Sequence, residues 1–298
     1  MLIEIRHQYA AESIFNFACD GDASTLRIAV NTIDNINDLY RTSVGSTAIH
    51  AAADNCHYEC VKILLDKGID IDCEDFRGMT ALHAASISGS VECCQLLIER
   101  GAMIEKNNFE GFRAINHAAY HGHTDICNLL LDNNADINAK TNNGESALFI
   151  AVKCGYLDTA HFLMSRGADI ETKTNNGMTA LHAAIDRGCT DAVSLMLDHG
   201  ADIECIDNNG ARCVHIAARD SRLEILQLLS ERGAQLDSLD YDGKSCMYYA
   251  AYYSTENDWI TQANRIDCIR FLLNQGVSID PENLEYYRTA IDLVKTTI

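Results

Sequence analysis

The chain has 298 residues, and its 11 histidines and 13 cysteines are the side chains best suited to chemistry. Their spacing argues against most of it. His50, His83, His182 and His215 fall in one register of 33 residues. If that period is a stack of helix pairs, neighbours lie roughly 10 Å apart, far beyond the ~2 Å bonds of a shared ion. His117-x-x-x-His121-x-His123 is the one local histidine cluster, and i, i+4 histidines on a helix can ligate zinc, but no H-E-x-x-H accompanies them. Cys56-x-x-x-Cys60 and the adjacent Cys93-Cys94 lack the C-x-x-C spacing of zinc or redox sites. Cys60, Cys93, Cys94, Cys127 and Cys268 stand in apolar blocks, where cysteine acts as a small hydrophobe. No Gly-rich phosphate loop and no nucleophile elbow is present. These residues point to a non-enzyme with no metal and no cofactor, and a metal- or redox-responsive protein is the alternative from another class.

The composition narrows the partners. The formal net charge is −20 with 47% hydrophobic residues, a balance that builds sizeable cores and repels phosphate backbones and anionic lipid. Nucleic acid and membrane insertion are therefore not expected. No apolar run approaches the roughly 18 residues of a membrane span, and Met1 to Ala10 is too polar for a signal peptide. An odd number of cysteines in a chain of this length reads as reduced thiols, hence a cytoplasmic or nuclear location.

The elements that would position any site are organised by a repeat. Gly45, Gly78, Gly111, Gly144, Gly177, Gly210 and Gly243 are each 33 residues apart. A second series reads Gly89, Gly122, Gly155 and Gly188, and a third Gly68, Gly101, Gly167, Gly200 and Gly233, with Asn134 filling the gap. Asn tolerates the left-handed stop of a helix. One helix per period is predicted to start at a hydroxyl cap (Thr47, Thr80, Ser146, Thr179, Ser245), and the other carries an apolar block such as Leu129-Leu130-Leu131. A tight turn such as Asn142-Asn143-Gly144 then projects a hairpin finger. One such pair cannot bury both faces, so the copies must stack.

Thr80-Ala81-Leu82-His83-Ala84-Ala85, Thr179-Ala180-Leu181-His182-Ala183-Ala184 and Thr47-Ala48-Ile49-His50-Ala51-Ala52 closely resemble the T-P-L-H-x-A signature of the ankyrin repeat. The resemblance covers nearly the whole chain and implies an all-α solenoid of helix-turn-helix units with short β-hairpin fingers. A degenerate cap is expected over 10–41, repeats over 42–74, 75–107, 108–140, 141–173, 174–206, 207–239 and 240–282, and a partial cap over 283–298. The seventh repeat carries ten extra residues around Tyr253 to Ala263, read as a loop between its two helices. Arg113 and Arg212 replace the capping Thr, so the third and sixth repeats are expected to fray most. The resemblance also implies that the signature His bonds the capping Thr and the next loop, and that His117 lies on a core-facing Ala column.

Ankyrin repeats usually engage partners through hairpin tips and the exposed end of the first helix, along a concave groove. Carried onto this sequence, those columns hold Phe76, Arg77, Met79, Ile87, Phe109, Phe112, Tyr120 and His121, and in the seventh repeat Tyr241, Tyr252 and Tyr253 with Trp259 nearby. Exposed aromatics with Met and Arg are the composition of interface hot spots. A second column, Asp72, Glu105, Glu171, Glu204, Asp237 and Asp280, predicts a negative ridge able to steer a basic partner. Only Asn138 keeps the family's usual residue there, in a setting that resembles the substrate of ankyrin-directed asparaginyl hydroxylases. The function expected is a monomeric scaffold that binds a protein, one with a basic or aromatic-rich segment, in the groove. The alternative is an adaptor recruiting a substrate to a larger complex such as a ubiquitin ligase, or an effector scaffold. Such adaptors normally carry a further box after the repeats.

Overall fold

The computed structural model describes residues 12–33, 35–38, 41–252 and 259–279. The chain divides into two compact units, Met1–Ala168 and Asp169–Ile298. In the first, residues 12–20 form helix α1, followed by α2 (Ala23–Ala29), α3 (Ala48–Asp54), α4 (Tyr58–Asp66), α5 (Ala81–Ser88), α6 (Val91–Glu99), α7 (Ala114–His121), α8 (Thr124–Asp132), α9 (Ala147–Cys154) and α10 (Leu157–Ser165). The second holds α11 (Ala180–Arg187), α12 (Thr190–Asp198), α13 (Cys213–Arg219), α14 (Leu223–Glu231), α15 (Cys246–Tyr252) and α16 (Trp259–Asn274).

Each pair forms because its ends are specified. Before α5, the Thr80 N–H donates to His83 Nδ1 at 3.0 Å, and Thr80 Oγ1 meets the same nitrogen at 2.9 Å. In the next repeat, Gly122 ends α7 at φ 74, a conformation in which a Cβ is disfavoured. Asn134 takes the same left-handed form at φ 66, as its place in the glycine column predicted. Cys56 and Ser221 occupy the second glycine column without being glycine, yet still adopt φ 60 and φ 55. The stack geometry overrides the local preference there, at the cost of strain.

Within each unit, first helices pack on first helices and second on second. The contacts run α3 to α5 to α7 to α9 and α4 to α6 to α8 to α10 in one unit, and α11 to α13 to α15 and α12 to α14 to α16 in the other. Each apolar block supplies one fully buried knob: Leu64, Leu97, Leu130 and Leu163 in the first unit, Met196, Leu229 and Leu272 in the second, all at 0% exposure. Removing such a side chain from water is worth about 2 to 3 kcal/mol.

Two expectations need correction. Among the described residues the fingers are not β-hairpins: they are tight turns, as where the Asp75 N–H donates to the Met79 carbonyl at 2.9 Å and the Gly78 N–H to the Asp75 carbonyl at 3.0 Å, with isolated bridges at Ile206–Arg212 and Leu239–Ser245. Two residues on either side of a glycine turn leave no length for a ladder. The seventh-repeat insertion is not all loop either, because Trp259 to Ala263 form the first turns of the 16-residue α16. Tyr253 lies outside the described residues, as do the side chains of Tyr252 and Trp259.

Candidate interaction surface

The finger tips are tied to one another through the backbone. The Phe76 N–H donates to the Val44 carbonyl at 2.9 Å, Phe109 to Arg77 at 2.9 Å and Asn142 to Glu110 at 3.0 Å; in the second unit Asn208 donates to Asn176 and Tyr241 to Asn209. A ring or amide at the tip then lies against the preceding glycine. A Cβ added to Gly45 would come within 2.6 Å of Phe76 Cδ1, and one on Gly78 within 2.8 Å of Phe109 Cδ1. The missing Cβ therefore leaves room for each aromatic ring against the preceding finger, and most of the residue stays exposed. Phe76 remains 63% exposed, Phe109 67% and Tyr241 72%. Asn142 and Asn208 use the same room differently, each donating its side-chain amide to the carbonyl of the previous tip at 2.8 Å.

The other expected contact residues are placed less uniformly. Arg77 is exposed at its tip, held 3.1 Å from the buried Asp75 carboxylate. Tyr120 is half exposed at the end of α7, with its ring 5.1 Å from His121. Ile87 and His121 are half-buried. Met79 is not a surface residue: at 5% exposure its side chain faces inward, and Asn108 Nδ2 lies 3.3 Å from its sulfur. The residue before the capping Thr turns toward the next finger, so an apolar side chain there is swallowed by the stack. Phe112, in the same column, is half-buried and its ring lies 5.1 Å from that of His117.

The signature histidines are structural ties. His50 Nε2 reaches the Met79 carbonyl at 2.9 Å, His83 Nε2 the Phe112 and Lys106 carbonyls at 3.2 and 3.1 Å, and His215 Nε2 the Ser238 carbonyl at 3.0 Å. Burial pushes His83 down to about 4. His117 is pushed to about 3, first by burial and then by the charges of His83, His121 and Arg77, and its Nε2 is buried without a hydrogen-bond partner. In the third and sixth repeats the cap survives in half: Arg113 and Arg212 have no acceptor, but their N–H groups donate to Asn116 Oδ1 at 3.0 Å and His215 Nδ1 at 2.9 Å.

The acidic column does more than line an edge. Asp72 Oδ1 accepts the Met103 N–H at 2.9 Å, and Glu105 Oε1 the Asp136 N–H at 3.0 Å. In the second unit Glu171 accepts from Asp202 and Glu204 from Gln235, both at 2.8 Å. Asp237 is exposed, Asn138 is half-buried with its N–H on Asp136 Oδ1, and Asp280 lies outside the described residues.

Two features escaped the sequence reading. A cavity of about 430 Å³ opens in the second unit, lined by Asp207, Asp240, Asp242, Tyr241, Tyr249 and Arg219 among others. Arg219 is neutralised by Asp186 and Asp220, and Tyr249 donates to Asp240 Oδ2 at 2.6 Å. The three acids sit in a tip motif repeated elsewhere, so only their convergence with two tyrosines distinguishes the place. The second is a buried cluster of His182, Cys205 and Cys213, whose donor atoms lie within 4.8 Å of one another. A metal is poorly served there, because His182 Nδ1 already accepts the Thr179 N–H at 3.1 Å and caps α11.

The family description "Ankyrin repeats (3 copies)" matches residues 9–108, 71–141, 103–174, 118–207, 167–240 and 202–283. The chain is similar to the crystal structure of the human ASB11 ankyrin repeat domain, with 26% identity and a TM-score of 0.67, covering 74% of this chain and 98% of that one. It is also similar to the crystal structure of the ankyrin repeat domain of Bcl-3, a member of the IkappaB protein family, with 25% identity and a TM-score of 0.62, covering 69% of this chain and 94% of that one. No curated protein matches the sequence. No catalytic domain is matched, and among the described residues no helix is long and apolar enough to cross a membrane.

Proposed function

The chain belongs to the ankyrin repeat family, a class of protein-binding modules, and on that premise we propose that it is a non-catalytic, monomeric scaffold of the cytoplasm or nucleus. It holds a basic or aromatic-rich segment of a partner protein against its finger tips and the exposed ends of its first helices. The observation that carries this reading is the placement of Phe76 and Phe109 against glycines of the preceding fingers with both residues still largely exposed. Rings already fixed by their own stack lose little conformational freedom on binding, which is how a rigid display gains affinity. Tyr241 is placed in the same way in the second unit, beside the carboxylates of Asp207, Asp240 and Asp242. The formal charge of −20 favours a cationic ligand and speeds its encounter.

The test is affinity capture with quantitative mass spectrometry, comparing the native chain with a variant carrying Phe76, Phe109 and Tyr120 as Ala, after thermal melts confirm that both fold. Phe112 is left intact because it supports His117. Loss of a specific partner with the variant is expected, together with weaker capture at high salt. Undiminished capture overturns the assignment of the tips.

A further inference from the structure

Cys205 and Cys213 are the residues whose placement the scaffold does not use. Cys205 lies in the loop after α12, and Cys213 is the first residue of α13. Their sulfurs are 3.7 Å apart, in van der Waals contact, and both residues are buried, at 5% and 0% exposure. Around Cys205 Sγ stand the Thr179 hydroxyl at 3.4 Å and the His182 ring nitrogens at 3.6 and 3.7 Å. The same fold supplies its own control. Cys73 occupies the Cys205 column in the first repeat and likewise touches its capping hydroxyl, Thr47 Oγ1, at 3.6 Å, but the residue in the Cys213 column there is Ala81.

The geometry points to Cys205 and Cys213 as a redox dithiol, a modification site at which a small peroxide closes a disulfide between the loop and α13. Cys205 is the less buried residue of the two, at 5% against 0%, so it is assigned the first step. The Cys205 thiolate attacks one peroxide oxygen, the O–O bond breaks, and sulfenic acid and hydroxide form. The Cys213 thiol then attacks the sulfenic sulfur and expels water. In sum two thiols lose two electrons and two protons, and one hydrogen peroxide becomes two waters. The electrostatics agree with that order. A hydrogen bond from the Cys213 thiol is the main cause that lowers Cys205 below an ordinary thiol, and the neighbouring ring of His182 adds to it. Cys73, without a second cysteine, is raised by burial instead. Cys213 is raised in turn, so it keeps the proton until the second step.

Trypsin cuts after Arg212, so the two cysteines leave on separate peptides, 188–212 and 213–219. The native full chain is treated with hydrogen peroxide at pH 7, remaining thiols are blocked with iodoacetamide, and the digest is read without reduction. The expected result is a reducible Cys205–Cys213 link, located by fragmentation because Cys189 shares the first peptide. Loss of free Cys205 should run about tenfold faster than loss of Cys73. Substitution C213A carries the residue that stands in this column at Ala48, Ala81, Ala114, Ala147 and Ala180, so it fits the fold. In C213A, Cys205 should slow toward the Cys73 rate and be trapped by dimedone as sulfenic acid. Absence of the link in the native chain, or Cys205 reacting no faster than Cys73, overturns the proposal. So does protection of both thiols by one equivalent of zinc, which would mark the cluster as a metal site.

Discussion

Glu204 Oε1 accepts the backbone N–H of Gln235 at 2.8 Å, so a carboxylate in one repeat holds the turn of the next. Its other oxygen lies 3.1 Å from Arg212 Nε, an ion pair whose alignment falls short of a hydrogen bond. Glu171 with Asp202, Glu105 with Asp136 and Asp72 with Met103 repeat the first contact. The acids read as a solvent-facing ridge are thus also rivets between successive turns.

This dual role separates two substitutions. Glu204→Gln keeps an acceptor for the Gln235 N–H and removes the charge, so it should change stability by less than about 1 kcal/mol while weakening attraction of a basic partner. Glu204→Ala removes both and leaves the N–H unpaired, at a cost of about 1 to 2 kcal/mol. Urea melts read the first quantity, and the salt dependence of partner association the second. If the two variants melt alike, the bond to Gln235 is not structural.

Leu130, fully buried in α8, tests the stack itself. Its replacement by Ala should cost about 2 to 5 kcal/mol. Because each repeat is held only by its neighbours, the loss should broaden or split the denaturation curve. A single sharp transition at the native midpoint would contradict nearest-neighbour stacking.

Acid should weaken the fold through His83 and His117. Their folded-state values, about 4 and about 3, lie below the ordinary 6.5 of a free imidazole. The unfolded chain therefore binds more protons between those limits, and stability complete above pH 6.5 falls as pH drops through the window. From pH 7 to pH 5 each histidine should contribute a loss on the order of 2 kcal/mol. His117→Ala, matching Ala51, Ala84 and Ala183 in the same column, should flatten the slope measured by urea melts. An unchanged slope would assign the acid sensitivity elsewhere.

Ser221 holds a left-handed φ of 55 with a side chain that disfavours it. Ser221→Gly should raise stability by about 0.5 to 1 kcal/mol, since glycine removes the Cβ clash at the end of α13 but has more freedom to lose on folding. Calorimetry should show a higher Tm. A lower one would mean that the hydroxyl makes a contact worth more than the strain.

At the third and sixth repeats, the half-caps at Arg113 and Arg212 lack the hydroxyl that Thr80 and Thr179 supply. Amide exchange in the first turns of α7 and α13 should exceed that of α5 and α11. Equal protection would show that Asn116 and His215 suffice alone.

What could be read from the chain was whatever repeats along it. The 33-residue period, the Thr and His columns, the glycine stops and the apolar blocks each concern one residue and its near neighbours, so one period predicts the next. Asn134 could be assigned a left-handed stop, and Phe76 and Phe109 a place at the tips, for that reason. Other features depended on how periods meet. Met79 and Phe76 are equally apolar and three residues apart, yet one is swallowed by the next finger and the other lies against a glycine and stays exposed, because the turn between them reverses direction. The acids looked like an exposed row because their acceptors' partners lie in the following repeat. Cys205 and Cys213 stand in different columns, neither unusual alone, and while His182 shares the period of Cys205, Cys213 belongs to the next. Only the packing of one helix pair on the next fixes distances across periods, and it brought two sulfurs into contact there, where at Cys73 and Ala81 the same packing brings only one.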